Sequence, residues 1–198
     1  MADFAGKIVL ITGAGKGTGR RVAEAFAAQG ATVAVNDVSP VNLDETVGHI
    51  LATSGQVRAY VEDIAKKMPV QTLLNSVLDD FGRIDIVVNC AEVEPQKTVL
   101  EMDDWDWQRT LDVNLSGPFL LTQSVGRIMK EKGGGVIVHV GERAKNPERR
   151  AAYFTSKAGL AALSALAAYE FSEFGIRVYH FQPEKTADTA KQILELCG

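Results

Sequence analysis

Six short runs rich in β-branched residues, at 7–12, 32–36, 57–61, 84–89, 136–140 and 176–181, alternate with longer stretches that carry apolar residues at helical spacing. That alternation constrains the fold more than any other feature of the chain. The helical stretches fall at 17–29, 41–53, 66–81, 102–132 and 151–174; in the third, Leu73, Leu74, Val77, Leu78 and Phe81 mark one face. Strands that are nearly all apolar must be covered on both sides, and right-handed crossovers place the helices there. The expected architecture is therefore α/β, a doubly wound parallel sheet of about six strands in a single domain. Its ligand chemistry should lie at the strands' carboxyl ends.

With 198 residues, 46% of them hydrophobic, the chain is long enough for one well-buried core and short for two. A net charge of −4 argues against a nucleic-acid or anionic-membrane surface, each of which needs a clustered basic field. Small soluble partners are expected instead. Cys90 and Cys197 are far apart, without metal-ligand spacing or a secretory leader, so neither a disulfide framework nor a metal site is expected. The apolar run 8–11 is too short to span a bilayer, and the chain reads as cytoplasmic.

The segment Thr12-Gly13-Ala14-Gly15-Lys16-Gly17-Thr18-Gly19 leaves the first strand and opens a helix. In that context glycine lets backbone amides approach a pyrophosphate at the positive end of the helix. Gly13, Lys16, Gly17, Thr18 and Gly19 are thus candidate cofactor-binding residues. Asp37 ends the second strand about 20 residues later, where a carboxylate can accept both ribose hydroxyls of an adenosine and repel a 2′-phosphate. NAD is favoured over NADP on this ground; the alternative is a helix cap or loop aspartate, and Lys16 would instead attract a phosphate. Asp63 and Ile64, just after the third strand, are candidates for the adenine, with a plain turn aspartate as the alternative.

Tyr153 and Lys157 stand four apart in a helical stretch, which puts an ammonium and a phenol on one face and favours the phenolate. A phenol otherwise ionises near pH 10, too high for efficient base catalysis around neutrality. Asn114, taken by itself, reads as a buried polar residue bracing a helix kink. Cys90 reads as a small core residue and His139 as a structural histidine.

These residues resemble the short-chain dehydrogenase/reductase family from Lys7 to Thr186. Thr12-Gly13, Gly17 and Gly19 match its TGxxxGxG turn, Asn89-Cys90-Ala91 most of its NNAG element, Val113-Asn114-Leu115 its helix asparagine, and Tyr153 with Lys157 its YxxxK. The resemblance implies a Rossmann-type domain in which Tyr153 is general acid/base, Lys157 binds the nicotinamide ribose, and Asn114 supports a proton relay. It also implies cofactor contacts from Asn89 and Ala91, a small alcohol or carbonyl substrate, and a homodimer through the long helices at 102–132 and 151–174.

Four departures accompany the match. The fifth strand ends in Glu142 where the family has a serine that polarises the carbonyl, and no serine or threonine lies between Gly135 and Tyr153. Losing one preorganised donor costs roughly 10²–10³ in rate at comparable sites. Glu142 is expected to face solvent among the basic residues of 143–150. Glu92 replaces the glycine of the asparagine element and Glu184 a glycine after Pro183; each either crowds the nicotinamide pocket or turns outward. Beyond Thr186, residues 187–198 stand in for the family's lid, last helix and last strand, so an open site is expected. Two functions follow: an oxidoreductase working between alcohol and ketone, or a nucleotide-binding subunit that has lost the reaction.

Overall fold

The computed structural model describes residues 3–142, 146–183 and 188–198. Among them, six strands form one parallel sheet in the order β3-β2-β1-β4-β5-β6. The strands are β1 (Ile8–Thr12), β2 (Thr32–Asp37), β3 (Gln56–Val61), β4 (Ile86–Asn89), β5 (Gly135–Val140) and β6 (Ile176–Phe181). Each expected strand is present, with ends displaced by two residues at most. Between them run α1 (Gly17–Ala28), α2 (Pro40–Ala52), α3 (Lys67–Phe81), α4 (Asp104–Leu111), α5 (Gly117–Lys132) and α6 (Ala151–Phe171), and α7 (Thr189–Cys197) follows β6.

Because successive strand residues point to opposite faces, β1 feeds two cores at once. Val9 and Ile11 join Val33 and Val35 against Val22, Phe26 and Ile50 of α1 and α2, and against Ile193 of α7. Ile8 and Leu10 join Ala34 on the other face against Leu73 and Val77 of α3 and Leu121, Val125 and Met129 of α5. The β1 side chains are all buried, which explains the unbroken apolar run at 8–11.

The strand order reverses beside β1, whose neighbours are β2 and β4. Crossovers leave to opposite sides at that point and open a crevice above the carboxyl ends of β1 and β4.

Two helical expectations need correction. The stretch 102–132 is not one helix: Asp112–Ser116 form a wide π turn, in which the Gly117 N–H reaches back five residues to the Asp112 carbonyl. Pro118 has no N–H to offer the Asn114 carbonyl four residues earlier, so the ordinary ladder cannot continue there. The stretch 151–174 tightens into a 3₁₀ turn over Ser172–Phe174 and stops at Gly175, whose φ of 70° suits a residue without a Cβ.

Candidate active site

Residues from five segments converge on a cavity of about 560 Å³ above the switch point. Gly13, Lys16, Gly17, Thr18 and Gly19 line it from the β1–α1 turn, Asp37 from the end of β2, Asp63 and Ile64 from the segment after β3, and Ala91 from that after β4. Nine of the expected cofactor residues therefore share one cavity. Asn89, Tyr153 and Lys157 are not on its wall.

The turn's geometry depends on its glycines. Gly13 has a φ of 63°, and a Cβ on it would lie 2.6 Å from the Ala91 backbone. A Cβ on Gly19 would overlap the Gly13 carbonyl. The β1–α1 turn thus packs backbone against backbone, as close approach to a ligand requires. Lys16 occupies the N-cap of α1 with no side-chain cap bond, so cap chemistry does not cover the amides of the first turn. Arg20 locks the turn from behind, donating to Gly15 O and, at 3.0 Å, to Thr46 Oγ1, with an ion pair to Glu45 at 2.8 Å.

Asp37 is not a helix cap. Ser39 caps α2, accepting from Asn42 N at 3.3 Å, while Asp37 accepts from Ser39 N and Gly15 N at 3.0 Å each. Its carboxylate ties the glycine turn to β2 and stays on the cavity wall. Asp63 is more than a turn residue: Arg109 of α4 grips it at 2.9 Å and Ala65 N donates to it at 3.1 Å. Burial opposes this carboxylate's charge, but the bonds from Arg109 and Ala65 outweigh it and hold the group below the usual carboxylate range. Arg109, on the cavity wall, carried no sequence signal beyond its charge.

Asn89 at the end of β4 is buried, and among the described residues neither its amide nitrogen nor its amide oxygen has a partner. Such a group is costly unless water or a ligand satisfies it.

Tyr153 is only 1% exposed and Lys157 only 4%. The pair shares one face of α6, with the ammonium 5.4 Å from the centre of the phenol ring. Lys157 Nζ donates to Val140 O at 3.0 Å, anchoring α6 to the end of β5. The dyad is covered rather than open. What covers it includes Glu92, which turned inward: its Oε2 accepts from the Tyr153 hydroxyl at 3.2 Å and pairs with Lys157 Nζ at 2.9 Å. Glu92 also lines the cavity, so it joins the glycine turn's chamber to the dyad.

Asn114 fixes this arrangement from the π turn. Its Oδ1 accepts from Val93 N at 2.8 Å, and its Nδ2 donates to Val93 O at 2.9 Å and to Ser156 Oγ at 3.1 Å. The side chain is a brace, clamping the residue next to Glu92 onto α6. Ser156 cannot replace the missing carbonyl donor, since its hydroxyl donates to Tyr153 O at 2.7 Å within the helix. Glu142 is half-buried rather than fully solvated. Glu184, Thr186 and the basic residues Arg143 and Lys145 lie outside the described residues.

His139 is structural. It is fully buried between Thr122 and Ser164, at 2.9 and 2.8 Å, and burial, helped by His180 and Lys157, brings its pKa down to about 3. Cys197 is equally inert: burial pushes its thiol up to about 12.

The short chain dehydrogenase family model matches residues 7–194. The chain belongs to that family. An uncharacterised oxidoreductase of Thermotoga maritima is 40% identical over 93% of this chain and 73% of its own. Among solved structures, an NAD+-bound xylitol dehydrogenase superposes with a TM-score of 0.88 at 32% identity, covering 92% of this chain and 71% of its own. A metagenomic short-chain oxidoreductase in complex with NADP gives 0.93 at 27% identity, covering 99% and 92%. This short-chain dehydrogenase thus has relatives solved with either nicotinamide cofactor. Among its described residues no helix is long and apolar enough to cross a membrane.

Proposed function

We propose that this protein is an NAD-dependent oxidoreductase that interconverts a small alcohol and the corresponding ketone, with Tyr153 as general acid/base. One observation carries the reading: Glu92 lies on the wall of the glycine-turn cavity and also contacts both Tyr153 and Lys157. The proton-handling pair therefore sits at the end of a chamber suited to a dinucleotide. The fit of that cofactor rests on this chain's own features, the close-packed glycine turn and the unpartnered Asn89 amide.

In this reading the first-turn amides of α1, with Lys16, hold the pyrophosphate. Asp37 accepts the adenosine ribose hydroxyls and disfavours a 2′-phosphate, so NAD is preferred to NADP. Asp63 and Ile64 border the adenine, and Asn89 and Ala91 border the far half of the cofactor. The nicotinamide supplies and accepts hydride. Tyr153 gives its proton to the developing alkoxide in reduction and takes it back in oxidation, Lys157 supplies the positive field, and Asn114 keeps the Val93 segment in place. No hydroxyl replaces the family's serine at the end of β5, so turnover should be slow, by roughly the 10²–10³ that one oxyanion donor contributes.

Calorimetric titration with NADH and NADPH tests the assignment. NADH should bind more tightly than NADPH, and Asp37→Ala should weaken NADH by about tenfold or more while leaving NADPH little changed. A screen of secondary alcohols and ketones should then show slow turnover that Tyr153→Phe abolishes. Binding of neither nucleotide would leave the fold as an interaction module.

A further inference from the structure

The resting proton of Tyr153 has an acceptor built into the protein. Glu92 Oε2 receives the hydroxyl at 3.2 Å and is bonded to Lys157 Nζ at 2.9 Å. Lys157 alone would draw Tyr153 toward phenolate. The Glu92 carboxylate, bonded directly to the hydroxyl and to the ammonium, offsets that field and accepts a hydrogen bond that only the neutral phenol can make. The position is not incidental, because Asn114 holds Val93, the next residue, through both its N–H and its carbonyl.

We propose that Glu92 holds Tyr153 as a neutral phenol, so that the site remains a proton donor for carbonyl reduction up to high pH and oxidises alcohols only in alkaline solution. The inference rests on Tyr153 being the proton-exchanging group of the proposed reaction. It does not violate the reaction's equilibrium, since moving one ionisation upward extends the pH range of reduction and raises the onset of oxidation together.

The other charged and titratable groups around the phenol leave this balance intact among the described residues. Lys157, on α6 itself, is paired with Glu92. His139 of β5 is buried and neutral, while His180 of β6 is held below its ordinary value by burial and by the charge of Lys157. Glu142, two residues past the end of β5, is half-buried, and no cation lies between it and β5 in the sequence. Arg150 at the start of α6 is occupied by Glu94 at 2.8 Å, and Arg109 across the cavity by Asp63.

Titration of tyrosinate absorbance tests the proposal without any cofactor. The parent and Glu92→Gln proteins are each compared with their Tyr153→Phe partners, so that the difference isolates Tyr153. Glu92→Gln keeps the shape and an acceptor oxygen but removes the charge, and the Tyr153 transition should fall by about 1–3 pH units. Glu92→Gly, the residue the family resemblance places there, should move it in the same direction and covers the case in which the glutamine variant does not fold. An unchanged or raised transition, or no Tyr153 transition in any of the proteins before alkaline unfolding, overturns the proposal. NADH calorimetry on the same proteins keeps the two ideas apart: lost nucleotide binding with a lowered transition sinks the oxidoreductase reading alone. With a reducible ketone in hand, the alkaline limb of reduction should also begin at lower pH in Glu92→Gln.

Discussion

Glu92 and His139 show what a single residue can and cannot reveal before folding is known. The identity of Glu92 was plain and its distance from Tyr153 in sequence was large, but the choice between turning inward and outward depends on Asn114 clamping Val93, a contact across 21 residues. His139 was readable as structural because a strand interior rarely holds a charge. Its environment gives a prediction with a definite sign. In the native protein burial lowers its pKa to about 3, while the unfolded chain returns it to about 6.5. Above pH 6.5 both states are neutral and the residue contributes nothing to pH dependence. As pH falls from about 6.5 towards 3, the unfolded state binds a proton that the native state refuses, and stability drops with a slope of one proton. Urea unfolding of His139→Gln across that range should show the acid slope reduced by one proton relative to the parent. An unchanged slope would mean that His139 is protonated in the native state.

At the scale of elements, the strands and most helices followed from periodicity because tertiary packing and local pattern agree. The exception is the passage from α4 to α5, where apolar spacing runs on through 102–132 although the ladder does not. The signal was present in Pro118, four residues after Asn114, but a proline at the first position of a helix is also ordinary, so sequence alone left both readings open. The β1–α1 turn was legible for the opposite reason, since its glycine spacing has few other uses. Three of its four glycines should differ on substitution. Gly17 has a φ of 59° but open space around a Cβ, so Gly17→Ala should cost only the backbone term, about 1–2 kcal/mol. Gly13→Ala adds a collision with the Ala91 backbone at 2.6 Å, and Gly19→Ala a collision with the Gly13 carbonyl, neither of which a side-chain rotation can relieve. Each collision should cost about a further 1–3 kcal/mol through displaced backbone, added at Gly13 to the cost of its own positive φ, and both variants should weaken NADH further than Gly17→Ala does. Denaturant midpoints and nucleotide affinities for the three variants, compared side by side, would expose any error in this ranking.

At the scale of the whole molecule, the outer face of α6 argues for association. Ala158, Ala162, Ala165, Leu166 and Tyr169 are exposed at helical spacing, with Leu166 61% and Tyr169 83% accessible. Phe119 of α5 and Trp107 of α4 add further exposed apolar surface. A face of alanines flanked by Leu166 and Tyr169 suits close approach by another helix, and a second copy of this chain would supply a matching face through a two-fold axis. The homodimer expected from these helices is therefore retained as a proposal. The sequence showed the small residues but not their orientation, because buried and exposed alanines look alike until α6 is docked on β5 and β6. Light scattering coupled to chromatography should give a dimer for the parent and a monomer for Leu166→Arg, whose charge would be buried without a partner at the axis and meet its symmetry mate. Because Leu166 lies on the outer face of α6 and Tyr153 on the buried one, NADH affinity should be unchanged in the monomer. A dimer that persists in Leu166→Arg would move the interface away from α6, and a fall in affinity on dissociation would mean that the partner's copy braces the cofactor cavity.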